Sequence, residues 1–175
     1  GSETFIPPIP GVDTVPFWTH RDALDNKELP ASLAIIGGGV IGIEFASFFN
    51  SLGVQVTVIE MLDEILGGID KELSALLRAE YAKRGIRFML STKVVSLAEA
   101  SSEDGKSQVQ VNYENAEGTG SVLAEKLLMS VGRRPVTKGF GLENLELRRT
   151  ERGNICTNDQ MQASAPGVYV CGDLT

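Results

Sequence analysis

The sequence is poor in the side chains from which active centres are usually built. It has one histidine (His20), one tryptophan and two cysteines, Cys156 and Cys171, fifteen positions apart. A lone histidine and two cysteines without a CxxC pair or a zinc spacing leave no expected metal site. They point to a reducing, cytoplasmic setting rather than a disulfide framework, and no secretory apolar segment stands at the start. No uninterrupted apolar run approaches the ~20 residues needed to cross a bilayer, so a membrane protein is not expected. The net charge of −7 comes without any block of lysines and arginines. Nucleic acid and anionic lipid are therefore not expected partners.

What is present is enough apolar residue, 42% of 175, to build a sizeable core. After "GSETFIPPIPGVD", whose prolines forbid regular structure, residues 20–30 read as a polar helical turn or loop that stops at Pro30. "SLAIIG" has the continuous apolar character of a parallel strand buried on both faces. Residues 40–52 carry apolar side chains around much of a helix, with Gly53 placed as its C-terminal cap. "VQVTVIE" is a β-branched strand. Asp70 opens a second helix, with Leu73, Leu76, Leu77 and Tyr81 expected on one face, and Gly85 closes it before the short strand "IRFML". The order β-α-β-α-β, with right-handed crossovers, predicts a parallel sheet. "TKVVSLAEA", "SQVQVNYEN" and "TGSVLAE" then alternate apolar and polar residues across the turns "SSEDGK" and "AEG", which predicts a three-stranded antiparallel excursion. "EKLLMSVG" returns as an apolar strand, and "GVYVCGD" reads as a last buried strand. A proline-rich opening without methionine and an ending on a strand lead us to expect a piece of a longer chain; Gly1-Ser2 reads equally as native or as a cloning scar.

The junction between the first strand and first helix carries the chemistry. Gly37, Gly39 and Gly42 match G-x-G-x-x-G, with Gly38 as a fourth glycine. In a dinucleotide site the first glycine permits the tight turn, the second lets a pyrophosphate approach the backbone, and the third lets helix and strand pack closely. The helix start adds N–H groups and a partial positive charge. Such glycines also mark ordinary tight turns, but here Glu60 stands 23 positions after Gly37 at the end of the next strand, where an acid would accept hydrogen bonds from the adenosine ribose. A carboxylate there repels a 2′-phosphate, and "IEMLDEI" holds no arginine to attract one, so NAD(H) is expected over NADP(H). The fold class expected is α/β: a Rossmann-like parallel sheet with helices and a three-stranded antiparallel excursion, of FAD/NAD(P)-binding domain type.

With these residues, and with "STKVVSL", "LLMSVGRRP" and "VYVCGD", the whole chain resembles the NAD-binding domain of the pyridine nucleotide-disulfide oxidoreductase family, its dihydrolipoamide dehydrogenases above all. The resemblance implies a domain inserted between two halves of an FAD-binding domain, with residues 1–30 as a lead from the flavin domain, 31–153 as the NAD-binding domain and 154–175 as the return into the flavin domain. It implies that Gly37, Gly38, Gly39, Val40, Ile41, Gly42, Ile43 and Glu44 form the pyrophosphate turn and first helical turn, with Glu60 on the ribose. Val94 would lie beside the adenine and Gly132 would let the nicotinamide end approach. By residue chemistry alone Val94 is a core strand residue and Gly132 a turn glycine. Glu44 resembles the acid that pairs with a lysine beside the flavin, and Asp173 the aspartate that contacts the ribityl chain.

The family's redox pair is C-x4-C and its base is a C-terminal histidine, and neither matches Cys156, Cys171 or His20. No catalytic residue is therefore expected in this chain, and binding of nucleotide without catalysis is. The full-length protein implied is an FAD-containing homodimer that oxidises the lipoyl protein of a 2-oxo acid dehydrogenase complex with NAD+, and the chain alone is expected to be a monomer. The alternatives are the NAD(H) module of another flavoprotein (an NADH oxidase, a mercuric or glutathione reductase, a ferredoxin reductase) or a nucleotide-binding module without chemistry.

Overall fold

The computed structural model describes residues 1–102 and 104–175, so Glu103 of the expected turn "SSEDGK" lies outside the described residues. It divides into two compact units, Ile6–Val131 and the pair of segments Gly1–Phe5 with Gly132–Thr175. Strand β1 (Ser2–Thr4) opens the second of these. The first contains, in order, α1 (His20–Asp25), β2 (Ser32–Ile36), α2 (Val40–Ser51), β3 (Gln55–Ile59), α3 (Lys71–Lys83), β4 (Arg87–Met89), β5 (Lys93–Ser101), β6 (Ser107–Asn115), β7 (Gly118–Ala124) and β8 (Lys126–Met129). β9 (Arg133–Pro135) returns to pair antiparallel with β1.

In Ile6–Val131 the parallel sheet has the order β4-β3-β2-β8. Counted from β2, that is 3-2-1-4, the arrangement of a mononucleotide-binding half in which the chain reverses direction across the sheet between its first and fourth strands. Ile35 sits between Val58 and Leu128 in register. Successive β2 residues point to opposite faces. Leu33 and Ile35 join one core with Ile43 and Phe49 of α2, whereas Ala34 and Ile36 join another with Leu97, Val111 and Val122. Burial on both faces is why "LAII" is a continuous apolar run.

The second core is roofed by the antiparallel sheet β5-β6-β7, whose Leu97, Val111 and Val122 are aligned across the three strands. Both α2 and α3 end on a left-handed glycine, Gly53 at φ +87° and Gly85 at φ +99°. The next N–H, of Val54 or Ile86, bonds the carbonyl of Phe49 at 3.1 Å or of Tyr81 at 3.2 Å, so each helix turns directly into a strand. Asp70 caps α3, its carboxylate accepting the Glu72 N–H at 2.8 Å.

Two expectations differ from what is observed. The buried stripe of α3 runs through Ser74, Leu77 and Tyr81, and Leu73 and Leu76 are 61% and 62% exposed. Ser74, small and only 1% exposed, is the side of the helix that closes on the core, which turns those two leucines outward. "GVYVCGD" is not a strand: it makes an antiparallel bridge between Tyr169 and Gln162 and then a 3-10 turn at Gly172–Leu174. Met161, at φ +60°, bends the opposing segment and prevents a ladder. Val12 and Val15 are buried in the core beneath the antiparallel sheet, and Trp18 exchanges backbone hydrogen bonds with Leu127 and Met129 at 2.7 and 2.8 Å. Among the described residues no helix is long and apolar enough to cross a membrane.

Candidate functional site

The turn Gly37–Gly39 leaves β2 at the point where the chain reverses direction, between the ends of β2 and β8, which is where open α/β sheets present a crevice. Its glycines answer to different neighbours. Gly37, at φ +105°, has a backbone that side chains resist, and an added Cβ would stand 2.5 Å from the Ser130 carbonyl oxygen. At Gly42 the Cβ would lie 2.1 Å from the Gly37 oxygen and 2.7 Å from Ser130 Oγ. At Gly38 it would press on Glu60 and Ile65 at 3.2 Å.

Gly39 is unlike them. It is the N-cap of α2 with ordinary extended backbone, φ −71° and ψ −179°, and a Cβ there would meet nothing within 4 Å. Neither conformation nor packing calls for glycine at this position, and open space lies in front of it. No side chain caps the helix start, so the first-turn N–H groups that helices leave unpaired are offered to whatever occupies that space.

Glu60 follows the last residue of β3, and its carboxylate is tied to the same turn. Oε2 accepts the Gly38 N–H at 2.6 Å and Oε1 the Leu62 N–H at 2.8 Å. The loop after Glu60 closes back on the glycines, for the Leu66 N–H bonds the Gly38 carbonyl at 2.8 Å with Leu66 at φ +55°. On the other side of the turn, Ser130 Oγ donates between the carbonyls of Ile36 and Gly37, each at 3.1 Å.

One charged pair stands behind this loop. Arg78 of α3 grips Glu64 with both prongs of its guanidinium, Nε to Oε1 at 2.8 Å and Nη2 to Oε2 at 2.9 Å. Glu64 Oε1 also accepts the Ile65 N–H at 2.9 Å. The Arg78 hydrogen bond holds the Glu64 carboxyl below the ordinary glutamate range against the opposing effect of burial, with the Ile65 N–H helping.

The structure brings Gly37, Gly38, Gly42 and Glu60 together around one turn. Of the other expected residues in Ile6–Val131, Val40 is exposed, Ile41 half-buried and Ile43 buried in the helix-side core. Glu44 is exposed and lines an apolar cavity of about 500 Å³ between α1 and α2, with Leu24, Phe45, Phe48 and Leu52. Val94 is half-buried against the core under the antiparallel sheet, at a bulge in β5. Gly132 and Asp173 belong to the other unit. Gly132, at φ +128°, accepts the Phe5 N–H at 3.0 Å, and Asp173 accepts the Ser2 hydroxyl. Cys156 and Cys171 are free thiols, and among the described residues no cluster suits a metal ion. Ser130, the Leu62 N–H and the Glu64–Arg78 pair were not foreseen. The dinucleotide fingerprint has no place for them, and only proximity in the folded chain reveals them.

A family model described as pyridine nucleotide-disulphide oxidoreductase matches residues 1–175. Dihydrolipoyl dehydrogenase 3 of Pseudomonas aeruginosa is 39% identical over 172 residues, 96% of this chain and 36% of that protein. Human mitochondrial dihydrolipoyl dehydrogenase is 37% identical over 177 residues, 99% of this chain and 34% of that one. Among solved structures, the HOCl-induced flavoprotein disulfide reductase RclA from Escherichia coli superimposes with a TM-score of 0.87 at 31% identity, covering 99% of this chain and 38% of RclA. The chain thus spans about a third of the length of the relatives it matches.

Proposed function

This chain belongs to the pyridine nucleotide-disulphide oxidoreductase family, and on that premise we propose that it is the NAD(H)-binding part of a flavin-dependent dihydrolipoamide dehydrogenase. In this reading the pyrophosphate rests against Gly39 and the first turn of α2, and Glu60 receives the hydroxyls of the adenosine ribose. The observation that carries it is Gly39, a glycine that neither its backbone nor its neighbours require, facing open space at a helix start. Glu60 supports the choice of NAD(H) over NADP(H). Its carboxylate is already oriented by two backbone N–H groups, and a 2′-phosphate brought to it would meet like charge.

The nicotinamide ring, when bound, supplies the hydride chemistry, and this chain's residues supply grip and orientation. Gly37 and Gly42 let strand and helix close together, Ser130 fixes the carbonyls of the turn, and the α2 N–H groups face the phosphates. Val94 at the adenine, Gly132 at the nicotinamide end, and Glu44 and Asp173 toward a flavin are assignments that the family likeness alone supports. Oxidation of a lipoyl protein's dihydrolipoyl group with NAD+ as the final electron acceptor, FAD and dimerisation belong in this proposal to the full-length protein. The structural likeness to RclA favours a second reading, the nucleotide module of a flavoprotein disulfide reductase with another substrate.

The test is Gly39→Val. Its Cβ enters open space, so thermal melting is expected to change little, while NADH binding by fluorescence titration is expected to be lost. Unaltered NADH affinity in the folded variant would refute the assignment of the pyrophosphate to this turn.

A further inference from the structure

We infer that Arg78, acting through Glu64, is a positioning residue for the adenosine-ribose end of the nucleotide, by holding the loop that orients Glu60 and the glycine turn. The inference rests on the reading of that site as a dinucleotide site and adds to it a device outside the fingerprint.

The loop between β3 and α3 supplies two of the bonds that shape the site, Leu62 N–H to Glu60 and Leu66 N–H to the Gly38 carbonyl. At its start it is tied to the segment after β4, where the Ser91 N–H bonds the Leu62 carbonyl at 2.8 Å, and beyond Leu62 its conformation depends on fewer bonds. It contains Gly67 and Gly68, and Leu66 occupies a left-handed backbone that leucine disfavours. Two side-chain anchors beyond Leu62 oppose its release. One is Ile65, 1% exposed in the helix-side core, and the other is the Glu64 carboxylate, whose side chain is 10% exposed and two-pronged to Arg78. The two anchors are consecutive residues, and they stand between the two N–H donors.

Arg78 comes from a separate element. Leu77 and Tyr81, its neighbours on α3, pack into the helix-side core, so the guanidinium is presented from a fixed helix. A planar fork matching both carboxylate oxygens fixes direction as well as distance, which a single ammonium does not. The second ion pair of this loop, Lys71 with Asp63 at 2.6 Å, is about 70% exposed on both sides and holds little. Without Arg78 the Glu64 carboxylate would be left nearly buried and without a countercharge. The inexpensive response is for the loop to open toward water, and opening carries the Leu62 and Leu66 donors away from Glu60 and Gly38.

The experiment titrates ADP-ribose, the half of the dinucleotide that meets Glu60, into the wild type, Arg78→Met, Arg78→Lys and the double variant Glu64→Gln/Arg78→Met. Titrations are made well below each melting temperature, together with exchange rates of the Leu62 and Leu66 amides. We expect Arg78→Met to lose about tenfold in affinity, in the range of coupling through packed networks, to lower the discrimination between NADH and NADPH, and to speed exchange of both amides. Arg78→Lys, which keeps the countercharge and loses the fork, is expected to fall between the wild type and Arg78→Met in affinity. Should Arg78→Met not fold, the double variant decides, because it has no stranded charge yet also no tie, and the same tenfold loss is expected. Wild-type affinity and slow amide exchange in a folded Arg78→Met or double variant would overturn the inference while leaving the dinucleotide reading intact. Absence of ADP-ribose binding by the wild type would overturn that reading, and the inference with it.

Discussion

Single side chains in this site carry separable tasks. Gly42→Ala places a methyl group 2.1 Å from a backbone oxygen that no side-chain rotation relieves, so a loss of about 3 kcal/mol is expected in denaturant melts, at the upper end for overpacking. Glu60→Ala keeps the fold but removes an anchored carboxylate. NADH binding is expected to weaken by about 1–3 kcal/mol, the range for charged hydrogen bonds, and the penalty against NADPH to shrink. Competition titration of the two nucleotides checks this, and an unchanged ratio would make Glu60 merely a strand end. Glu64 adds a pH dependence. Its folded-state carboxyl titrates below the ordinary value because Arg78 bonds the charged form. Its contribution is therefore complete above pH ~4.3, the unperturbed glutamate value, and disappears as pH falls through the lower folded-state value. Stability of the wild type should thus fall more steeply below that pH than stability of Glu64→Gln/Arg78→Met.

At the scale of helices and strands, the ends are fixed by local chemistry and were readable for that reason. Asp70→Ala should cost about 1 kcal/mol through the lost cap on α3, measurable in chemical denaturation. Glycines 53 and 85 stop their helices wherever the apolar pattern stops, and the alternation of β5, β6 and β7 follows from one face being buried. Gly37 and Gly42 were equally legible as the close-packing glycines of the turn, and Glu60 as the strand-end acid beside it. Helix phase was less so. "ELSALL" offers leucines on several sides of α3, and the choice of Ser74, Leu77 and Tyr81 as the packed stripe depends on the sheet beneath. Ser130 lies 93 positions from Gly37, and Arg78 reaches Glu64 across 14 positions and an irregular loop. No periodicity connects such pairs, so the sequence leaves them invisible.

For the molecule as a whole, the chain spans about a third of its relatives' length and lacks a C-x4-C pair. Purified as it stands, it is expected to be colourless and without NADH-lipoamide turnover while still binding NADH. Stoichiometric flavin absorbance, or turnover that depends on this chain, would contradict that division of labour. A different consequence follows from the place of β8. β2 is the heart of the parallel sheet, yet one of its two neighbours is separated from it by more than 90 positions, Leu33 opposite Lys126. During synthesis β2, β3 and β4 emerge first, and β2 must wait with one apolar edge unpaired until the whole antiparallel excursion has followed. Loop closure over that span is slow, and an unpaired hydrophobic edge recruits strands from other chains. A released chain truncated just before Lys126 should therefore be aggregation-prone and dependent on chaperones, and one truncated after Met129 should be less so.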